Sequence, residues 1–387
     1  MDDFDYLSEN DVYFDAACQS LRPRPVIDAL NRYYTEHNSC GERVKYEWGK
    51  KTDELVEETR ERMLKFLKLK NRDYSVSFTL NTTYGINLLL SQFKDGLFDR
   101  VITTDIEHNS PFLSTMSFAK KHNIPRVVVT RNDDGSFPLD DVDFTNALVV
   151  VNAASNIDGR KLLNIKELIK AVHAAGGVII IDAAQAMAHT SEILHKTEAD
   201  AICTSAHKIY GPSLGVMIVR RDLFDKIETS FIGGGMVDDV DKESYKLSAE
   251  SPNHAYTKFE SGLQAWGEII AFGEALKWLE GLSKKEHKRF EECYTRLYDF
   301  LKSQPRVHLI NQEANPTISF YIDGLDSHLV GEALSDEGIM ARTGYFCVHY
   351  YLDHVKHYPP LIRFSLGHHV RESDIDKTIK IMERMLG

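Results

Sequence analysis

Lys208 stands at the end of Cys203-Thr204-Ser205-Ala206-His207-Lys208, about one strand–helix–strand crossover after Asp182 in Val178-Ile179-Ile180-Ile181-Asp182-Ala183-Ala184-Gln185. A lysine just past one apolar strand, with an acid closing the strand before it, is the pair a pyridoxal phosphate (PLP) site needs. The amine forms a Schiff base with the aldehyde, and the carboxylate pairs with the pyridinium nitrogen. Each residue also has an ordinary reading. Lysines are mostly solvated surface groups, and Asp182 is suited to capping a helix. A charge at the end of four aliphatic residues nevertheless needs a partner, and a cationic ring nitrogen is one. Gln185, three residues on, is within reach of the ring's phenolic oxygen.

Other polar residues fall after apolar runs in the same way. Thr82 and Thr83 open a helix in Asn81-Thr82-Thr83-Tyr84-Gly85. Capping explains them, and so does a phosphate held by the free amides of a helix N-terminus; Ser205 and His207 would add donors to that phosphate. His108, in Glu107-His108-Asn109-Ser110, is either a satisfied structural histidine or a ring stacked on the pyridine and placed to move protons. Cys347 ends Arg342-Thr343-Gly344-Tyr345-Phe346-Cys347. It is an inert small hydrophobe or, beside a cation, a nucleophile. Arg363 lies mid-strand among apolar residues, which implies a structural salt bridge or a bidentate clamp on a substrate carboxylate. His349, His354, His357, His368 and His369 crowd the C-terminal region, but their spacing with Cys347 matches no standard metal pattern, so no metal is expected.

The elements that must position these residues follow from hydrophobic periodicity. Apolar strands are expected at 75–80, 100–104, 126–130, 147–152, 178–182, 201–204 and 215–220. Helical patterns at 84–93, 111–122 and 165–175 lie between them. Alternating strands and helices predict a mainly parallel sheet covered on both faces, with ligands outside the carboxyl ends of the strands. Near Glu268 the pattern changes to two long helices (266–279 and 284–303), short strands (317–322 and 361–365) and further helices (329–337 and 372–385).

The chain has 387 residues, a length that favours two domains. Its 43% hydrophobic and 27% charged residues are ordinary for a globular protein. The net charge of -12 argues against a nucleic-acid grip. The acidic start and the absence of a long apolar run argue against a signal peptide or membrane span. Five scattered cysteines without a CxxC pair fit reduced thiols. A cytoplasmic enzyme is expected.

Taken together, Val12-Tyr13-Phe14-Asp15-Ala16-Ala17, Asp182-Ala183-Ala184-Gln185, Ser205 to Pro212, Phe259-Glu260-Ser261-Gly262 and Arg342 to Cys347 resemble the class V aminotransferase family of fold-type I PLP enzymes. Within it they are most similar to Suf-type cysteine desulfurases and selenocysteine lyases. The resemblance covers most of the chain. It implies an α/β fold-type I transferase with a large PLP-binding domain over 16–282, built on a seven-stranded-type, mainly parallel sheet. A smaller α+β domain would comprise 1–15 and 283–387. It implies that Lys208 carries PLP and Asp182 pairs with the pyridinium. Gln185 and Asn156 would reach the phenolic oxygen, His108 would stack, and Thr83, Ser205 and His207 would hold the phosphate. Arg363 would bind the amino acid carboxylate, with Arg342 and Tyr46 also facing the substrate.

The implied reaction converts cysteine to alanine and leaves the sulfur on Cys347 as a persulfide, which passes to a small acceptor protein. The implied assembly is a homodimer. Some positions depart from the family pattern. Tyr46 stands where a substrate-side histidine is usual, and Leu263 where a threonine contacts the neighbouring subunit's phosphate. Tyr345 and Phe346 stand where histidines are often found, and Cys18 where a small hydroxyl residue is common. A carbon–sulfur lyase or epimerase acting on a larger cysteine derivative is therefore a second expectation, and a PLP-binding protein without turnover a third.

Overall fold

In the computed structural model, residues 3–41, 44–248 and 252–387 are described. In chain order the strands are β1 (Val12–Phe14), β2 (Tyr74–Thr79), β3 (Arg100–Thr104), β4 (Arg126–Val129), β5 (Ala147–Asn152), β6 (Val178–Asp182), β7 (Ala201–Ser205), β8 (Gly215–Arg220), β9 (Val237–Val240), β10 (Tyr245–Leu247), β11 (Val307–Leu309), β12 (Thr317–Ile322), β13 (Ile339–Gly344) and β14 (Leu361–Ser365). The helices are α1 (Arg24–Glu36), α2 (Glu47–Phe66), α3 (Thr82–Gln92), α4 (Asn109–His122), α5 (Ile165–Ala174), α6 (Ala186–His189), α7 (Trp266–Glu280), α8 (Lys284–Ser303), α9 (Ser327–Asp336) and α10 (Glu372–Leu386).

Seven strands form one sheet in the order β2-β8-β7-β6-β5-β3-β4. Neighbours from β7 to β4 run parallel, while β8 is antiparallel to both β2 and β7. All residues of β5, β6 and β7 are buried, as strands covered on both faces must be. One cluster joins Val149, Ile181 and Ile202 to Phe272 and Leu276 of α7. A second joins Val150, Ile180 and Met217 to Leu89 of α3 and Phe118 of α4. This is the α/β architecture the periodicity implies. A second, five-stranded sheet has the order β1-β13-β14-β12-β11. Its core holds Phe14, Phe320 and Phe364 against Leu297 of α8 and Ile381 of α10. Among the described residues no helix is long and apolar enough to cross a membrane.

A buried ion pair fixes α2 to the large sheet. Arg60 Nη1 and Nη2 donate to Glu260, at 2.8 and 2.7 Å, and the Phe78 amide donates to the same carboxylate at 2.6 Å. The guanidinium also lies 4.0 Å from the Tyr256 ring centre. Among the described residues, removing Glu260 leaves the buried guanidinium only the exposed Glu57, 3.1 Å from its Nε, as counter-charge. Glu260→Ala should therefore cost ~3–5 kcal/mol, read as a lowered midpoint in denaturant titration.

Two buried histidines follow β14. His368 packs against Phe290, with ring centres 4.4 Å apart, and against Tyr210 at 6.0 Å. Burial pushes it down to about 2, and the neighbouring His189 and His287 add to this. His369 is pushed to about 4, chiefly by burial. Both folded values lie below the ordinary histidine value. As pH falls through ~6.5 the unfolded chain takes up protons that the folded one refuses, so stability is lost on acidification. Between pH 7 and 5 each histidine should remove ~2 kcal/mol. His368→Gln should flatten that loss in melting temperatures measured across this pH window.

Candidate active site

The carboxyl ends of the parallel strands open into a cavity of about 280 Å³. Lining it are Thr83, His108, Asn156, Asp182, Gln185, Ser205, His207, Lys208, Arg342, Cys347 and Arg363. All but one of the residues expected to hold the cofactor or substrate or to take part in the chemistry thus line one cavity. The exception is Tyr46, which caps α2 and is exposed, with its hydroxyl 3.4 Å from Ser39 Oγ. It is not part of this cavity wall, so the expectation that it faces the substrate is not met within one chain.

Register places the acid and the lysine. Asp182 ends β6 opposite Cys203 of β7, and β7 then runs through Ser205 into the short turn that ends at Lys208. Tyr210, fully buried with φ +60°, holds this turn: its amide donates to Ser20 Oγ at 2.7 Å, and its hydroxyl accepts from the His368 amide at 3.0 Å. Burial raises the Asp182 pKa, opposed by the Ala184 amide and by the Lys208 charge. Burial also lowers Lys208, opposed by Asp182. A buried carboxylate supported by one amide at 2.9 Å is completed by a further cation.

At the other side of the cavity α3 begins. Ser205 Oγ accepts from the Thr82 amide at 2.9 Å and lies 2.6 Å from Thr82 Oγ1. Thr83 Oγ1 lies 2.5 Å from Ser110 Oγ, and Ser110 is itself 2.9 Å from His108 Nδ1. The hydroxyls and the helix start make an anion cradle. Gly215 lets β8 pass this close, since a Cβ there would stand 2.6 Å from the Asn81 nitrogen. The Ser110 amide donates to His108 Nδ1 at 3.0 Å, so that nitrogen carries no proton. Burial, with Lys208 and Arg363 nearby, pushes His108 down to about 3. It is a neutral ring with its proton on Nε2. His207 is likewise pushed down to about 4, chiefly by burial.

Arg363 makes the structural ion pair that its mid-strand position implies. Nη2 donates to Asp15 Oδ1 at 3.0 Å and Nη1 to the Asn156 carbonyl at 3.0 Å, while Nε is buried with no partner. Its guanidinium lies 4.7 Å from the Phe346 ring centre. Asp15, 3.8 Å from Arg342 as well, is a brace that the sequence did not mark. Asn156 and Gln185 spend their amide nitrogens on backbone: Asn156 Nδ2 donates to the Phe346 carbonyl and Gln185 Nε2 to the Ala17 carbonyl, both at 2.8 Å. Cys347 is exposed at the mouth. Ser110 and Asn152 also line the cavity, and both sit at strand ends or helix starts, the one signal that could have found them. No cluster of metal-ligating side chains occurs among the described residues.

A seven-stranded, mainly parallel sheet with this cavity at its carboxyl ends and a second sheet beside it is the fold-type I PLP transferase architecture. The chain belongs to the aminotransferase class-V family, whose model matches residues 12–378. It is 30% identical over 357 residues to a probable cysteine desulfurase from Pyrococcus abyssi, covering 88% of this chain and 86% of that one. It is 27% identical over 385 residues to a cysteine desulfurase from Pectobacterium atrosepticum, covering 96% and 92%. Among solved structures it is similar to the apo cysteine desulfurase from Thermococcus onnurineus NA1, with a TM-score of 0.86, 26% identity and coverage of 97% and 94%. The fold is shared with the cysteine desulfurase CsdA of Escherichia coli, with a TM-score of 0.88, 22% identity and coverage of 99% and 96%.

Proposed function

We propose that this chain is a PLP-dependent cysteine desulfurase that converts cysteine to alanine and receives the sulfur on Cys347 as a persulfide. The observation that carries the reading is the meeting of Lys208, Asp182, Arg363 and Cys347 in one cavity. The cavity fits the cofactor on its own terms. A buried acid faces it, hydroxyls of Thr83 and Ser205 line an anion cradle, and a neutral His108 ring stands on its wall.

When bound, PLP supplies an electron sink that makes a Cα proton removable and a carbon–sulfur bond cleavable. Lys208 would hold the cofactor covalently. Its amine, lowered by burial, is suited to take a proton at Cα and return one. Asp182 would balance the ring nitrogen, and Thr83, Ser205 and His207 would bind the phosphate. Arg363 Nε, buried and unpartnered, would donate to the substrate carboxylate while Asp15 and Asn156 hold the guanidinium plane. The Cys347 sulfur, at the open mouth, would attack the substrate sulfur.

Phe346 lines the cavity with its ring centre 4.7 Å from the Arg363 guanidinium; the alternative substrate is a cysteine derivative bulkier than cysteine. A carbon–sulfur lyase acting on such a derivative is the reading that free cysteine as the best substrate would eliminate.

The proposal includes a homodimer. Gly262 pairs with Gly234 at 2.7 Å, and the two segments leave Phe231, Ile232 and Leu263 exposed, an apolar surface suited to a second copy. It also includes a small sulfur-acceptor protein, a cytoplasmic setting, and the division into 16–282 and 1–15 with 283–387. The pairing of β1 with β13 supports that division.

Cys347→Ala should cut persulfide formation from cysteine by at least about tenfold while leaving cofactor binding intact. Alanine and protein-bound sulfane sulfur, measured together, check it. Undiminished sulfur release from the variant would remove Cys347 from the reaction.

A further inference from the structure

Two of the five cysteines line the same cavity. Cys18 is half-buried in its wall, in the turn after β1, and Cys347 is exposed on the loop after β13. Cys40, Cys203 and Cys293 are not in this wall. Lys208 and Arg363 line the same cavity as these two thiols. Cys18 thus faces the two groups that would hold an amino acid by its Cα and its carboxylate.

The Cys347 loop is clamped. Phe346 and Cys347 have φ of +49° and +60°, a backbone that non-glycine residues adopt only when held there. The holding bonds run from Asn156 Nδ2 to the Phe346 carbonyl at 2.8 Å and from the Asn109 amide to the Cys347 carbonyl at 2.6 Å. The loop therefore presents its thiol at the same cavity that Cys18 lines.

We propose that Cys18 is a second sulfur-carrying thiol of this site and takes the outer sulfur of a Cys347 persulfide. The inference rests on the desulfurase reading. The Cys18 thiolate attacks the terminal sulfur of the persulfide, and a sulfur–sulfur bond forms on Cys18. The sulfur–sulfur bond on Cys347 breaks, Cys347 leaves as thiolate, and the proton lost by Cys18 passes to it. The sulfane sulfur keeps its oxidation state, so no oxidant or reductant takes part. Cys347 is then free for a second turnover, and one chain stores two sulfurs when no acceptor is present.

The test uses the full-length PLP-loaded protein with cysteine, without acceptor or reductant. The alanine burst per chain is counted, and trapped persulfides are mapped by peptide mass spectrometry. Wild type should release two alanines per chain and carry sulfur at both Cys18 and Cys347. Cys18→Ser should release one and carry sulfur only at Cys347. A wild-type burst of one, equal to that of Cys18→Ser and with Cys18 unmodified, overturns the proposal and leaves the desulfurase reading standing. No alanine from cysteine at all overturns both.

A second measurement is independent of turnover. Mild diamide oxidation of the protein should join Cys18 to Cys347 as a disulfide. If those two thiols stay reduced while exposed Cys40 reacts, they do not reach each other and the proposal fails.

Discussion

Lys208→Ala should lose on the order of 10³-fold or more in alanine formation from cysteine, because in the proposed reaction one side chain would both anchor the cofactor and move the Cα proton. Proton transfer by a placed base alone is worth roughly 10²–10⁴-fold. The amine lies beside Asp182 and Arg363 in a wall that keeps it below the ordinary lysine range, and among the described residues no other lysine lines the cavity. The variant should still fold, since Lys208 makes no hydrogen bond that the neighbouring turn needs. That turn is held by Tyr210 and Ser20. The check is a rate assay paired with a melting curve. A rate within tenfold of wild type, with the fold intact, would take Lys208 out of the chemistry.

Asp182→Asn should be the next most damaging change. The carboxylate is buried and supported by the Ala184 amide and the Lys208 charge. Replacing it with a neutral amide of the same shape leaves a cationic ring nitrogen without its counter-charge. Breaking one side of a buried ion pair costs ~3–5 kcal/mol, which as a rate is roughly 10²–10⁴-fold. The loss should appear in kcat more than in KM, since Arg363 and the anion cradle are untouched. Steady-state kinetics with the cofactor in excess would show it. A loss confined to cofactor affinity, restored fully by excess PLP, would limit Asp182 to binding.

Much of the large sheet was legible because buried parallel strands are short apolar runs. The ends of β5, β6 and β7 carry their polar residues where such a sheet places ligands. Lys208, Asp182 and Ser205 could be read for that reason. Thr83 and His108 could be read because each sits where a helix starts after a strand.

What escaped was non-local. Asp15 braces Arg363 across 348 positions of sequence, and no local pattern announces such a pair. The bond from Asn156 to the Phe346 carbonyl, which shapes the Cys347 loop, spans 190 positions. Helices α1 and α2 are not evident from composition because polar residues surround narrow buried stripes, Val26, Ala29 and Tyr33 in α1 and Val56, Met63 and Leu64 in α2. The β9–β10 hairpin is mostly exposed and charged, so it lacks the alternation that marks a half-buried strand. Cys18 stood out only as a residue type unusual for its position, and its place in the cavity wall required the folded chain.

Borohydride reduction of the purified protein in the presence of PLP, followed by peptide mapping, bears most directly on all of this. A visible absorbance band should vanish on reduction, and the pyridoxyl group should be found on the peptide carrying Lys208. A well-folded chain that takes up no PLP colour, or that carries the label on a different lysine, would contradict the account.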